Sequence, residues 1–309
     1  MSAARPGTAD RRRWIHLLWI VPAAAILIAA VILIAQWIRS LDPVQSFLQT
    51  YPGTTPLPET APVGIPAWLN WQHALNALFM LLIIRSGWQV RTVTKPPAFW
   101  TRNNTGRLRT RNPPKRISLH LWFHLALDIL WITNGVIYVV LLFVSGHWMR
   151  LVPQSWDVIP NAVSAGLQYA SMNWPTEDGW VNYNSLQMIA YFVIVFVAAP
   201  LAILTGVRMS GLWPRDAARL NRLYPIHVAR AVHFPVMLFF VLFIVTHVVL
   251  VLATGAIRNL NHMYAAQDSS TWLGIATFGG TVVLMAAAWI AARPLLLRPL
   301  AQLTGQVSR

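Results

Sequence analysis

The stretch IHVARAVHFPVMLFFVLFIVTHVVLVLAT, residues 226–254, decides the fold. It contains no acid and a single arginine, Arg230, near its start, and at 1.5 Å per residue it is long enough to cross a hydrocarbon core about 30 Å thick as one helix. Inside it stand His233 and His247, fourteen residues apart. At about 100° per residue they return to within roughly 40° of one direction, about 21 Å apart along the axis. One face of one membrane helix therefore carries two imidazoles, and an ionisable group at that depth is costly enough to suggest function.

Five further apolar runs surround this one, giving spans at 14–38, 68–90, 117–145, 184–207, 226–254 and 271–292. The whole chain of 309 residues is 56% hydrophobic and only 11% charged. A soluble domain would carry about a quarter charged residues, so a soluble globule is excluded. The net charge of +15 is not a nucleic-acid signature, because its arginines sit in short loops beside apolar runs and follow membrane topology. Arg11, Arg12 and Arg13 precede the first span; Arg91, Lys95, Arg102, Arg107, Arg109, Arg111, Lys115 and Arg116 follow the second. Arg208, Arg215, Arg219 and Arg222 follow the fourth, and Arg293, Arg298 and Arg309 the last. The intervening loops hold Asp42, Glu59, Asp157, Glu177, Asp178 and Asp268. The positive-inside rule then predicts an all-α integral membrane protein of six transmembrane helices with both termini cytoplasmic. The first span is longer than a secretory h-region and lacks a small-residue cleavage site, which predicts a retained helix. The division expected is 1–67 for the leading helix and a Pro-rich outer loop, 68–292 for the membrane core, and 293–309 for a cytoplasmic tail.

Two other spans match the histidine depths. His73 lies about 8 Å inside the outer boundary of the second span and His124 about 10 Å inside the inner boundary of the third. His247 and His233 stand at corresponding levels, so the expected pairs are His73 with His247 and His124 with His233. Two neutral imidazoles from facing helices can supply both axial positions of a haem iron, and two such haems would make an electron path across most of the bilayer in a four-helix core. The alternative is that membrane histidines merely hydrogen-bond between helices. His120 with His124 has zinc-ligand spacing, but the general-base position after His120 is Leu121. The absence of Cys excludes thiolate metal sites, disulfides and covalent haem. Arg230, one turn before His233, and Arg85 are candidates to meet haem propionates, ahead of Arg208. Gly87, Gly135 and Gly206 would admit a flat ring or simply pack helices. His120, at the cytoplasmic interface, is a wetted residue, a propionate partner or a quinone-site proton donor, with His227 open to the same readings and His147 and Asp157 as quinone-site rivals at the other end. His16 and His262 receive no role.

Together, Trp71-Gln-His73-Ala-Leu-Asn-Ala-Leu, Asn134-Gly135-Val-Ile-Tyr138 with Ser145-Gly146-His147, Tyr183-Asn184-Ser-Leu-Gln187, Leu204-Thr-Gly206 and Arg230-Ala-Val-His233 through His247 carry a resemblance. Over about residues 68–292 the chain resembles the bacterial di-haem cytochrome b membrane subunits of thiosulfate reductase, formate dehydrogenase and nickel–iron hydrogenase. The resemblance implies two non-covalent b haems with His73, His124, His233 and His247 as axial ligands. It also implies a quinone or quinol, a partner oxidoreductase subunit, often a molybdopterin enzyme, and a place in the bacterial cytoplasmic membrane. The leading helix departs from the simplest members and reverses the sidedness of the core, so the docking side is not carried over from the family and the expectation here is an outer partner. Two other classes compete. A transporter would use Pro200 and Pro235 to break helices at a midplane site, though no sequence repeat accompanies them. A stand-alone haem reductase would carry a flavin or nicotinamide domain.

Overall fold

The computed structural model describes residues 8–105, 113–174, 178–214 and 216–309, with side chains from residue 18 onward. Arg107, Arg109, Arg111, Glu177 and Arg215 of the charge pattern lie outside the described residues, as do the side chains of Arg11, Arg12, Arg13, Trp14 and His16. In chain order the helices are α1 (Thr8–Ser40), α2 (Asp42–Thr50), α3 (Ala67–Thr92), α4 (Leu119–Val144), α5 (Val158–Ala170), α6 (Ser185–Val193) and α7 (Ala199–Met209). They continue as α8 (Ala218–Leu223), α9 (Ile226–Ala253), α10 (Ala256–Ala265), α11 (Leu273–Ala291) and α12 (Pro294–Gln302). Three strands, β1 (Phe99–Arg102), β2 (Arg116–Ser118) and β3 (Gly305–Ser308), complete the described elements. Six segments are long and apolar enough to cross a membrane: Leu18–Ser40, Ala67–Thr92, Leu119–Val144, Ser185–Met209, Ile226–Ala253 and Leu273–Ala291. The chain is a mostly helical, multi-pass membrane protein.

The chain divides into two compact units. The first comprises residues 1–57, 152–178 and 182–190. Large apolar side chains project from all sides of α1, with Trp19 76% and Leu33 65% exposed, as a helix solvated by hydrocarbon requires. Gln36 Nε2 donates to the carbonyl of Ser171 at 3.2 Å, tying α1 to the end of α5. Asn161 Oδ1 on α5 accepts from Gly53 N at 2.9 Å, where φ of +106° suits glycine.

The second unit holds residues 58–151, 179–181 and 191–309, and with them the bundle. Met80 of α3, Val236 and Phe240 of α9 and Ala198 before α7 form its buried centre, with Trp131 of α4 and Ala202 of α7 packed against them. Ser118 caps α4 by accepting from Leu121 N at 3.2 Å. A π-helical turn, Ile194–Ala198, leads into α7, where Pro200 lacks the N–H that a regular α ladder needs. By contrast α9 runs unbroken through Pro235. Two features depart from the expected pattern. The antiparallel sheet β2-β1-β3 makes the fold mostly rather than wholly helical. Residues 293–309, expected as a tail, fold as α12 and β3. Leu297 and Ala301 of α12 pack with Ala98 and Leu119, and Arg298 donates to the carbonyl of Pro97 at 2.6 Å.

Beyond α9, Gly255 at φ +138° turns the chain into α10. The fully buried Asn261 then fastens α10 to α11, its Oδ1 accepting from Gly274 N at 3.0 Å and from Thr271 Oγ1 at 2.9 Å. Asp268, in the connecting turn, takes hydrogen bonds from His262 Nε2 at 2.9 Å and Arg258 Nη2 at 3.1 Å, which hold its carboxyl below the usual range.

Candidate functional site

The four histidines come together in two levels of the bundle. His73 on α3 and His247 on α9 have ring centres 6.2 Å apart at 58°, and His124 on α4 and His233 on α9 have centres 6.5 Å apart at 80°. The buried cluster of Met80, Val236 and Phe240 is placed by sequence between the two levels. Along α9 the levels stand about 21 Å apart.

At the His124–His233 level each ring is held by a hydroxyl next to a glycine. His124 Nδ1 lies 3.0 Å from Ser86 Oγ and His233 Nδ1 2.8 Å from Thr205 Oγ1. The hydroxyls also reach backbone carbonyls, Ser86 that of Ile83 at 3.0 Å and Thr205 those of Leu201 at 2.7 Å and Ala202 at 3.0 Å. The adjoining glycines give the rings room. A Cβ at Gly87 would stand 3.1 Å from His124 Cε1, and one at Gly206 3.7 Å from His233 Cε1. Asp128 Oδ2, one turn along α4, is 3.8 Å from His124 Nε2, too far for a hydrogen bond.

The His73–His247 level is walled by aromatics. Tyr264 of α10 meets His73 edge-on at 5.6 Å, and Phe243 lies parallel to His247 at 5.7 Å and 3°. Tyr191 meets His247 edge-on at 6.2 Å. His73 Nδ1 is buried with no hydrogen-bond partner among the described residues. Burial pushes the Tyr264 hydroxyl above its ordinary value.

The remaining candidates are more scattered. Arg85 donates to the carbonyl of Trp289 and lies over that ring at 4.5 Å, which commits its guanidinium to α11. Arg230 is exposed one turn before His233, and His227 is exposed beside it. Arg208 is buried, with Nε donating to the carbonyl of Tyr224 at 2.6 Å. His120 is buried at the start of α4. A Cβ at Gly135 would meet nothing within 4 Å. His147 is buried beyond α4, its Nδ1 2.9 Å from Ser145 Oγ and its Nε2 without a partner among the described residues. Burial and the nearby Arg150 push the His147 ring below its ordinary value. Asp157 takes a hydrogen bond from Ser155 Oγ at 3.2 Å in the first unit. Among the described residues no three His, Asp or Glu converge as ligands for a lone metal ion. Sequence reasoning missed Ser86, Thr205, Tyr264 and Phe243. For the first two the dipeptides Ser86-Gly87 and Thr205-Gly206 were the available signal.

Fold and site define a class: a multi-pass helical membrane protein whose bundle holds two stacked pairs of imidazoles. A protein of Azospira oryzae named as the protein-methionine-sulfoxide reductase subunit YedZ1 is 27% identical over 201 residues, which span 60% of this chain and 88% of that protein. No family model matches the chain, and no solved structure matches it.

Proposed function

We propose that this chain is a membrane di-haem b-type cytochrome passing electrons between a quinone pool and a partner oxidoreductase subunit. The observation that carries the reading is the pair of imidazole separations. Two imidazoles sharing one iron stand with ring centres roughly 6 Å apart, about 2 Å for each metal–nitrogen bond plus the half-width of each ring. The separations of 6.2 and 6.5 Å fit that demand at both levels. The glycines beside the His124–His233 level and the aromatic walls around His73 and His247 suit a flat apolar ring. A haem held by two imidazoles has no open position for substrate, so it supplies one-electron transfer. His73, His124, His233 and His247 are the axial ligands in this reading, and Arg230 is the propionate partner. Arg85 could meet a propionate only by leaving Trp289.

The relative named as a methionine-sulfoxide reductase subunit supports a partner of oxidoreductase class, with a molybdopterin enzyme the candidate that the family resemblance supplies. The basic loop and both termini lie on the cytoplasmic side in this reading, and the partner docks on the other. A transporter is the weaker reading, since α9 is unbroken at Pro235.

Purified protein should give two haems per chain in a pyridine haemochrome assay, both non-covalent and low-spin. No haem at all, or a covalent signal, refutes the proposal. Quinone chemistry moves protons as well as electrons, and the buried His120 is our proposed exchange group at the basic-loop end. His120→Ala should slow haem reduction by a menaquinol analogue in proteoliposomes about tenfold or more, in the range of general acid–base catalysis, with both haem spectra intact. An unchanged rate in that variant with slowing in His147→Ala would put the quinone at the opposite end, where His147 Nε2 is unpartnered.

A further inference from the structure

The two levels of histidines differ in how their outer nitrogens are held, and the difference has an electrochemical consequence. Ser86 and Thr205 each have one hydroxyl proton and helix carbonyls within reach to take it, at 3.0 Å for Ser86 and at 2.7 and 3.0 Å for Thr205. A hydroxyl on a helix that gives its proton back to the preceding turn faces its other neighbours as an acceptor. The neighbour in each case is a ring Nδ1, at 3.0 Å for His124 and 2.8 Å for His233, so Nδ1 carries the proton. The lone pair is then on Nε2. Gly87 and Gly206 belong to the same device, because they bring the two helix backbones close enough for the adjacent hydroxyls to reach the rings. Among the described residues the other level shows no counterpart. His73 Nδ1 is buried without a partner among the described residues, and His247 is held by the parallel ring of Phe243.

Resting on the di-haem reading, we infer that Ser86 and Thr205 are positioning residues that lock His124 and His233 in the Nδ1–H tautomer and give this level the lower reduction potential. An imidazole that donates its far N–H to an acceptor is a more basic ligand and favours the more positive, oxidised metal. Two such donors act on the His124–His233 level. Without an equivalent acceptor at His73, the His73–His247 level holds an electron more tightly. At equilibrium a single electron therefore resides at the end away from the basic loop.

Spectropotentiometry of the haem-loaded protein tests the ranking, and haem-free protein tests its cause. Ser86→Ala and Thr205→Val should each raise only the lower of the two potentials, by a roughly tenfold change in the oxidised-to-reduced ratio, which is about 59 mV for one electron. Ser86→Thr and Thr205→Ser keep the acceptor and should restore the wild-type value. In haem-free wild-type protein, nitrogen NMR should find His124 and His233 protonated at Nδ1, with that preference lost for His124 in Ser86→Ala and for His233 in Thr205→Val. This second readout decides for any variant that fails to hold haem. Unchanged potentials, a shift in the higher potential instead, or unchanged tautomers would overturn the inference. A wild-type protein that binds no haem would instead overturn the proposed function while leaving the tautomer result to stand or fall alone.

Discussion

Alanine at His73 or at His247 is expected to remove one and the same haem, and alanine at His124 or at His233 the other, so that haem per protein falls from two to one in all four variants. The expectation rests on the ring pairs, 6.2 Å for His73 with His247 and 6.5 Å for His124 with His233. Among the described residues each ring meets one imidazole partner across a helix interface, and a haem that loses one of two axial ligands becomes high-spin, loosely held or lost. The levels are separated by about 21 Å along α9, with Met80, Val236 and Phe240 of the buried core in the intervening turns, so the surviving level should keep its spectrum and its potential. Redox titration of the four variants, followed in the visible band, is the measurement. Loss of the same haem in His73→Ala and His233→Ala would show that the bundle pairs its ligands differently. Loss of both haems in every variant would show that the levels fold as one cooperative unit.

Much of the bundle could be read before any coordinates, because bilayer thickness fixes span length and helical geometry fixes depth. The run at 226–254 corresponds to the span Ile226–Ala253, and the run at 68–90 lies within Ala67–Thr92. Depth alone pointed to which histidines face one another, since a residue's level depends only on its distance from the end of its span. The short strands left no such trace. Three or four residues carry too little alternation to stand out, and β1 pairs with β3 across roughly two hundred residues of sequence. The folded C-terminal segment was hidden for the same reason, since α12 is nine residues long and its buried side chains find their partners on 98–123. Ser86 and Thr205 were hidden differently. A hydroxyl in a membrane helix ordinarily bonds its own backbone, as both of these do, and only the three-dimensional crossing of α3 with α4 and of α7 with α9 brings an imidazole to the remaining lone pair. The aromatic wall at His73 depends on α10, an amphipathic helix in what read as a loop.

Valine at Gly274 should unfold the α10–α11 turn and, through it, weaken the His73–His247 level before any effect reaches His124 and His233. Gly274 has no room for a side chain, because a Cβ there would be driven into the backbone of Leu260 and Asn261, which the buried Asn261 side chain pins in place. Overpacking of this kind costs about 1–3 kcal/mol and occasionally more, and backbone that cannot retreat puts this site at the upper end. Separating the two helices would also strand Asn261 Oδ1 and the Thr271 hydroxyl in a buried setting, adding about 1–3 kcal/mol. The functional reach of this turn runs through Tyr264. Thr277 Oγ1 of α11 donates to the Tyr264 carbonyl at 2.9 Å, Phe278 packs on the Tyr264 ring at 5.2 Å, and that ring closes edge-on over His73. If α10 comes away from α11, His73 loses its wall and its level opens to lipid or water. Gly274→Val is therefore expected to lower the thermal midpoint of the purified protein and to release one haem preferentially, the same haem lost in His73→Ala. Gly279→Val on the same helix, where a Cβ meets nothing within 4 Å, should do neither. Equal losses in the two valine variants would mean that the turn does not brace the His73–His247 level.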